Sequence, residues 1–367
     1  MSYIWEHKNW PSFVWQDDKL IGILGKARLA QGKLLSKVHA LGFEMGEESR
    51  SEILIEEVIK TAAIEGQKLE VETVRSSVAR RLGLPTGGVK KEDRKAEGLI
   101  DVMMDATLGY EKTLTIKRLK SWQASLFPTG YSGLKKIRVG QWRDEAPMQV
   151  VSGPIGREKV HFEAPPSKRV NTEIKTFITW WEKKSKEIDG LLRAGIAHFY
   201  FLVIHPFEDG NGRIARALTD MALAQDESFQ KRYYSLSSRI MKERNSYYDI
   251  LERSSKKDLD ITLWLEWFLL CYLRALEDSE IAISKVLEKA GFWREHIETQ
   301  LNKNQRKVIN KLLEGFEGGL TTRKYVSMTR TSRATAYRDI ADLVKKGILI
   351  QNKGKGRSVS YSLKRLK

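Results

Sequence analysis

A mainly α-helical fold is predicted, with one β-hairpin near the middle of the chain and a small basic domain at its end. Three observations carry that expectation. Apolar residues recur at three- and four-residue spacing over most of the first hundred positions and again from 171 to about 290. One convincing strand, turn, strand run separates these two stretches. After about residue 293 the pattern changes to short helices followed by a Gly-rich hairpin, and positive charge concentrates there.

The elements follow in order. "DDKLIGILGKARLAQGKLLSKVHALG" and "SEILIEEVIKTAAIEG" both have helical spacing. In the second, Ser51 reads as an N-cap, Glu52, Glu56 and Glu57 suit the first turns, and Gly66 reads as the stop. Residues 83–95 form a loop by their Gly, Pro and charge content. After further helix, "LFPTGYSGLKKIRVGQWRDEAP" reads as irregular, and 148–163 reads as the hairpin. "LLRAGIAHFYFLVI" is apolar nearly all round, so it should be a central buried helix ending at His205. A new helix is expected near Arg213. The apolar run 261–273 carries Glu266 and is too short for a membrane span, so it reads as a buried helix with Cys271 as a packing residue.

Composition narrows the function classes. The 367 residues suggest two or three domains. No basic-then-apolar leader opens the chain, so a cytoplasmic protein without membrane association is expected. A single cysteine excludes an internal disulfide and a cysteine-rich zinc site, and no Walker A motif is present. Residues 301–367 hold 17 Lys and Arg against 4 Asp and Glu, a net +13 of the chain's +17. That field favours an anionic partner, nucleic acid first.

The residues that point to chemistry lie in "HPFEDGNGRIAR", 205–216. A glycine-rich turn entering a helix presents backbone N–H groups to an anion such as phosphate. Arg213 and Arg216 stand in the first helical turns, where the helix dipole disfavours cations unless an anion sits among them. Asp209 is a suitable ligand for Mg²⁺, which often takes one or two carboxylates plus phosphate oxygens. His205 titrates near neutrality and can act as general base toward a hydroxyl. Together these describe phosphoryl or nucleotidyl transfer.

The stretch matches HxFx(D/E)GNGRxxR at every fixed position: His205, Phe207, Asp209, Gly210, Asn211, Gly212, Arg213 and Arg216. The chain thereby resembles the Fic family, most of whose members transfer AMP from ATP to a hydroxyl of a target protein. The resemblance implies that His205 is the base and Asp209 holds Mg²⁺. It also implies that Gly210, Asn211, Gly212 and Arg213 bind the phosphates, that Arg216 holds the γ-phosphate, and that Phe207 anchors the loop. Tyr247, in "NSYYDIL", resembles the aromatic residue lining the adenine pocket. The hairpin, with Val150, Val151, Val160, His161 and Phe162, corresponds to the flap that docks an extended target segment by strand addition.

Glu65 raises a separate electrostatic question. It lies at a helix end, against the dipole, with Gly66 following, and so calls for a cationic partner. "TAAIEG" matches the family's inhibitory motif (S/T)xxxE(G/N). The resemblance implies that Glu65 pairs with Arg216 and occupies the γ-phosphate seat, making the enzyme self-inhibited. In some relatives the same glutamate helps remove AMP from targets.

In the last segment the order helix, short helix, helix, hairpin is that of a winged helix-turn-helix. Ser332, Arg333, Thr335, Tyr337 and Arg338 are candidates to reach bases or phosphates, and "NKGKGRS" would be the wing. Such modules bind DNA, dock proteins or form homodimers. The expected organisation is 1–95, an N-terminal helical domain with the inhibitory helix; 96–292, a Fic core with its flap; and 293–367, the winged helix. The expected activity is adenylylation of Ser, Thr or Tyr on target proteins and on the enzyme itself. The alternatives are a DNA-binding regulator with a nucleotide-sensing core, or a Fic enzyme that removes AMP or uses another donor.

Overall fold

The computed structural model describes residues 3–39, 43–84, 93–152, 159–228, 232–256, 258–313, 318–352 and 359–364. Their contacts divide the chain into two compact units, 1–279 and 280–367.

The first unit is helical. It contains α1 (Asp17–His39), α2 (Phe43–Ile64), α3 (Val71–Leu82), α4 (Arg94–Leu108) and α5 (Ile116–Leu126). Two short hairpins follow: β1 (Tyr131–Ser132) with β2 (Lys135–Lys136), and β3 (Gln149–Ser152) with β4 (Lys159–Glu163). Then come α6 (Ser167–Glu182), α7 (Gly190–Ile204), α8 (Asn211–Glu227), α9 (Leu236–Lys242), α10 (Arg244–Ser254) and α11 (Thr262–Glu295), the last of which spans the division between units.

Helix α7 is the axis of this unit. Its apolar run is buried on all sides, with Phe199, Phe201 and Ile204 fully inaccessible. Asp189 caps its first turn by accepting from the Leu191 N–H at 2.9 Å, which satisfies one of the orphan donors there. Helices α6 and α8 pack on it, and α8 in turn packs against α4, α5 and α2. The Trp264 indole donates to the Gly195 carbonyl at 2.8 Å, tying α11 to α7. Arg28 on α1 ties down both site helices. Its guanidinium donates to Asp189, the α7 cap, at 2.8 Å and to Asp226, near the end of α8, at 2.9 Å. Cys271 is fully buried, as its place in an apolar run leads one to expect. Among the described residues no helix is long and apolar enough to cross a membrane.

Several local readings of the sequence are corrected. Ser51 is not an N-cap: α2 begins at Phe43, and Ser51 lies buried within it. The preceding turns are rich in polar residues and lack an apolar stripe, so periodicity missed them. Helix α8 starts at Asn211, two residues before Arg213, with Gly210 as its N-cap. The stretch read as irregular holds the β1–β2 hairpin, whose two-residue strands are too short to show a period of two.

The second unit contains α12 (Lys303–Leu313), α13 (Thr322–Thr329), α14 (Arg333–Lys345) and an antiparallel pair, β5 (Leu349–Gln351) with β6 (Tyr361–Leu363). Val308, Ile309, Leu320, Tyr325, Ile340 and Leu343 form its core. Buried Asp339 accepts from the Tyr325 hydroxyl at 2.7 Å and from the Asn302 amide at 3.0 Å. Arg330, in the left-handed region at φ 56°, turns the chain between α13 and α14, and the Ser332 hydroxyl caps α14 by accepting from the Thr335 N–H at 3.1 Å. Most of the expected basic wing, 353–358, and the tip of the central hairpin, 153–158, lie outside the described residues.

Candidate active site

The backbone of the loop between α7 and α8 is clasped by side chains. His205 ends α7 in the left-handed region at φ 48°, and Gly210 opens α8 at φ 93°. The Asn211 side chain closes the loop from both directions: its Oδ1 accepts from the Phe207 N–H at 3.0 Å and its Nδ2 donates to the Phe207 carbonyl at 2.8 Å. Phe207 is fully buried, its ring 4.9 Å from that of Trp142. Arg143 fastens the other side. Its Nε donates to the His205 carbonyl at 2.8 Å, its backbone N–H to the Pro206 carbonyl at 3.0 Å, and its Nη2 to the Pro165 carbonyl. The amide of Asn211 is therefore a structural clasp, which leaves its backbone N–H as what it can offer an anion.

His205 is partly exposed, and its Nδ1 lies 3.2 Å from the Leu202 carbonyl. A carbonyl can only accept, so Nδ1 carries the proton and Nε2 presents a lone pair. Burial lowers its pKa to about 4. The Leu202 bond, Glu65 and Asp209 oppose that shift, and Arg143 adds to it. The imidazole is thus neutral at physiological pH, the state a proton acceptor needs.

Asp209 Oδ1 accepts from the Gly210 N–H at 2.5 Å and lies 3.4 Å from Arg213 Nη2, while Oδ2 accepts from the Ser132 hydroxyl. Among the described residues no group of three or more His, Cys, Asp or Glu is arranged to hold a metal. A metal at Asp209 would therefore draw its remaining ligands from phosphate or water, which fits Mg²⁺ rather than a protein-caged ion.

The first-turn N–H groups of Asn211, Gly212 and Arg213 lie beyond reach of intrahelical acceptors. Arg213 and Arg216 are both 2% exposed, yet Arg213 Nε and Arg216 Nε and Nη1 have no hydrogen-bond partner. Arg213 donates to the Gln67 amide oxygen at 3.2 Å and rests 4.7 Å over the Phe127 ring. Burial lowers its pKa, with Asp209 and Glu65 opposing. Unpartnered buried guanidinium donors at a helix N-terminus are a ready anion site.

An anion already occupies part of it. Glu65 Oε1 accepts from Arg216 Nη2 at 2.7 Å across 151 positions of sequence, and the same nitrogen donates to the Thr61 carbonyl at 3.1 Å. A methyl group placed on Gly212 would come within 2.2 Å of Glu65 Oε1, so the carboxylate sits directly on the α8 N-terminus, where only glycine admits it. The end of α2 is held there by cations and hydroxyls: the Ile64 carbonyl accepts from Arg244 Nε at 3.0 Å and from the Tyr248 hydroxyl at 3.4 Å, and the Thr61 and Ser237 hydroxyls bond at 2.7 Å. These groups offset the negative end of the helix dipole.

Tyr247 is 2% exposed, with its ring 5.5 Å from Trp267 and its hydroxyl 2.8 Å from His198 Nε2. The next residue, Tyr248, is partly exposed. On the hairpin, Val151 is 47% and Val160 38% exposed, and Val150 is half-buried. Phe162 is buried, its ring edge-on to Tyr3 at 5.3 Å, and His161 Nδ1 bonds to Glu252. The residues that sequence reasoning missed are Ser132, Arg143, Gln67, Arg244 and Tyr248. Each reaches the site from a distant segment, and no local pattern marks them.

Residues 113–223 match the Fic/DOC family, and residues 3–84 match a domain of unknown function (DUF4172). A probable protein adenylyltransferase of Aquifex aeolicus is 40% identical over 65 residues, 18% of this chain and 20% of the relative. The protein adenylyltransferase fic-1 of Caenorhabditis elegans is 40% identical over 55 residues, 15% of this chain and 11% of the relative. The matches thus take in a fifth or less of those curated proteins. A crystal structure of a Fic family protein from Desulfovibrio desulfuricans superposes with a TM-score of 0.56 at 18% identity, covering 97% of this chain and 99% of that one, and so shows a shared fold. The likeness to the Fic/DOC family thus spans residues 113–223, with the 205–216 loop near their C-terminal end.

Proposed function

We propose that this protein transfers AMP from ATP to a hydroxyl side chain of a target protein, and that Glu65 restrains the reaction in the free enzyme. One observation carries the reading. A carboxylate from a remote helix rests on the α8 N-terminus against Arg216, while three buried guanidinium nitrogens beside it lack acceptors. The seat has more donors than one carboxylate can satisfy, as a polyphosphate site should.

In this reading the backbone at Gly210, Asn211 and Gly212, with Arg213, cradles the phosphates, and Arg216 holds the γ-phosphate once Glu65 withdraws. His205 Nε2 accepts the proton of the target hydroxyl as its oxygen bonds to the α-phosphorus. The bond from that phosphorus to the bridging oxygen breaks, and pyrophosphate leaves with the electron pair. Asp209 would hold Mg²⁺, which when bound neutralises phosphate charge. With Glu65 in place, the phosphates cannot reach Arg216, and the α-phosphorus is denied an in-line approach. The exposed valines of β3 and β4 suit backbone pairing with an extended target segment, which positions a hydroxyl with little demand on sequence.

Intact-mass measurement after incubation with ATP and Mg²⁺ tests the reading. Glu65→Gly should gain one AMP faster than wild type, and Glu65→Gly with His205→Ala should gain none. Labelling of Glu65→Gly no faster than wild type would refute the restraint, and labelling of the double variant would remove His205 from the role of base.

A second reading concerns the C-terminal unit and adds to the first. In a helix-turn-helix arrangement of α13 and α14, Arg330, Arg333, Tyr337 and Arg338 are all exposed, with Tyr337 at 66%. Ser332 and Thr335 cap α14 instead, their hydroxyls 2.9 Å apart. A basic, aromatic-bearing helix of this kind suits duplex DNA. Binding that weakens steeply with added salt supports it, and no binding at low salt excludes it.

A further inference from the structure

The segment 3–16 lies outside the Fic/DOC match, within the stretch that resembles a domain of unknown function, and the catalytic reading makes no use of it. It runs along the β3–β4 hairpin and α10. Ile4 is fully buried, and its N–H donates to the Ser255 carbonyl, just past α10, at 2.9 Å. The residues on either side of it both reach β4. The Tyr3 ring stands edge-on to Phe162 at 5.3 Å, and Trp5 Nε1 donates to the Glu163 carbonyl at 2.7 Å. The Arg169 guanidinium lies 5.4 Å from the centre of the Trp5 ring and holds the indole from its other side. Farther along, Trp10 Nε1 donates to Glu173 at 2.8 Å and the Val14 N–H to the Leu259 carbonyl at 2.9 Å, so the segment is fixed along its length.

The Trp5 bond falls on one particular edge of the hairpin. The Ala164 N–H donates to the Met148 carbonyl at 2.9 Å, so the next partners in this antiparallel pair, Gln149 and Glu163, are a non-hydrogen-bonded pair. Their N–H and C=O groups point away from the opposite strand. The Glu163 carbonyl therefore faces outward on β4, and Trp5 caps it there. On β3 the same alternation turns the N–H and C=O groups of Gln149 and Val151 outward. Both residues are exposed, and among the described residues no hydrogen bond reaches those outward groups. The base of the hairpin is tied to the loop before α8. Arg143, ahead of β3, donates to the His205 carbonyl at 2.8 Å and to the carbonyl of Pro165, just beyond β4. The end of β4 is thus gripped from two sides, by Trp5 at Glu163 and by Arg143 at Pro165.

We infer that residues 3–5 are a strap that closes the outer edge of β4 and fixes the hairpin beside His205, so that an extended target segment pairs with β3, at Gln149 and Val151, and not with β4. Tyr3 and Trp5 are positioning residues for that docking. The strap's role rests on the reading that the hairpin docks a target. A two-stranded hairpin with both edges open offers two placements for an added strand, and only one of them can hold a hydroxyl at the right distance from a single base. Closing one edge removes the other placement. The partner that fits is an extended segment that supplies backbone donors and acceptors to Gln149 and Val151 and rests an apolar side chain on Val151, which is 47% exposed.

Two measurements test this, with melting temperatures identifying folded variants. Amide hydrogen exchange read by NMR needs no target. In the wild type the Gln149 and Val151 N–H groups should exchange at least about tenfold faster than those of Val150 and Phe162, which lie within the ladder. Trp5→Phe keeps a ring and loses the donor, and it should speed the two ladder amides about fivefold. Transfer is then followed with Glu65→Gly as enzyme and the full-length His205→Ala chain as an acceptor that cannot label itself. If only the enzyme is labelled, its own single-turnover rate takes the acceptor's place. Val151→Pro and Glu163→Pro, made in the enzyme, each remove one outward N–H and leave the ladder bonds in place. Val151→Pro should slow transfer about tenfold, Trp5→Phe about fivefold and Glu163→Pro less than about twofold, with the ATP dissociation constant unchanged in all three. Slow exchange at Val151, or ladder amides indifferent to Trp5→Phe, would overturn the strap. A loss from Glu163→Pro that equals or exceeds the loss from Val151→Pro would overturn the assignment to β3. If Glu65→Gly labels neither itself nor the acceptor, the transfer reading falls and takes the docking edge with it, while amide exchange still decides the strap.

Discussion

The 205–213 loop and the 61–67 end of α2 meet at the same arginine, but they are held in opposite ways. The loop is closed from within: Asn211 clasps Phe207 four residues away, and Arg143 fastens its carbonyls. Beyond its own closing backbone bonds, the end of α2 is held by side chains from outside, Arg216, Arg244, Tyr248 and Ser237, each more than 150 positions distant. The loop therefore has a clasp of its own in Asn211 besides its bonds to the remote Arg143. A segment held by remote polar contacts can leave when those contacts find other partners.

The difference can be broken at either side. The largest effect should come from His205→Ala in a Glu65→Gly background, with transfer falling by about a thousandfold and ATP affinity little changed. Single-turnover labelling and nucleotide titration measure the two separately. Glu65→Gly alone should raise self-labelling by about a hundredfold over wild type, close to 3 kcal/mol of removed competition. Asn211→Ala should strike the loop and spare the arm. It strands the buried N–H and carbonyl of Phe207, so a loss of about 2 kcal/mol is expected by chemical denaturation.

Acidification sharpens the contrast further. The folded pKa of His198, about 3, lies below the ordinary value of 6.5, so between those limits the unfolded chain binds a proton that the folded chain does not. Stability from this group is complete above pH 6.5 and falls as pH drops toward 3, with a slope approaching about 1.4 kcal/mol per unit. His198→Gln should flatten the wild-type stability profile by that amount between pH 6 and 4 (about two units of the window). The smallest effect belongs to the arm's anchor. Thr61→Val removes the hydroxyl bonded to Ser237 and should loosen α2 by about 1 kcal/mol, read as a severalfold rise in wild-type labelling.

Much of this was legible in the sequence, where the signal was local. The all-round apolar run of α7, its stop at His205 and the glycine-rich entry to α8 placed the 205–216 loop, because backbone geometry at a helix end depends on a few neighbouring residues. Ser51 shows the limit even for helices: the first turns of α2 carry no apolar stripe, so its true start at Phe43 could not be read. The β1–β2 hairpin was missed for want of length, and with it Ser132, which holds Asp209.

By itself, the sequence determined the mainly helical architecture, the 205–216 loop with its histidine, carboxylate and two arginines, and the concentration of charge in the last segment. Only the tertiary structure decided what those groups touch. It set Glu65 on Gly212, turned the Asn211 amide inward as a clasp, and buried Tyr247 with its hydroxyl against His198. The physical reason is range. Helix starts, stops and turns arise from dihedral and hydrogen-bond preferences over a few residues. The partner of a buried charge is chosen by whichever distant polar group packing brings within about 3 Å, and no pattern along the chain records that choice.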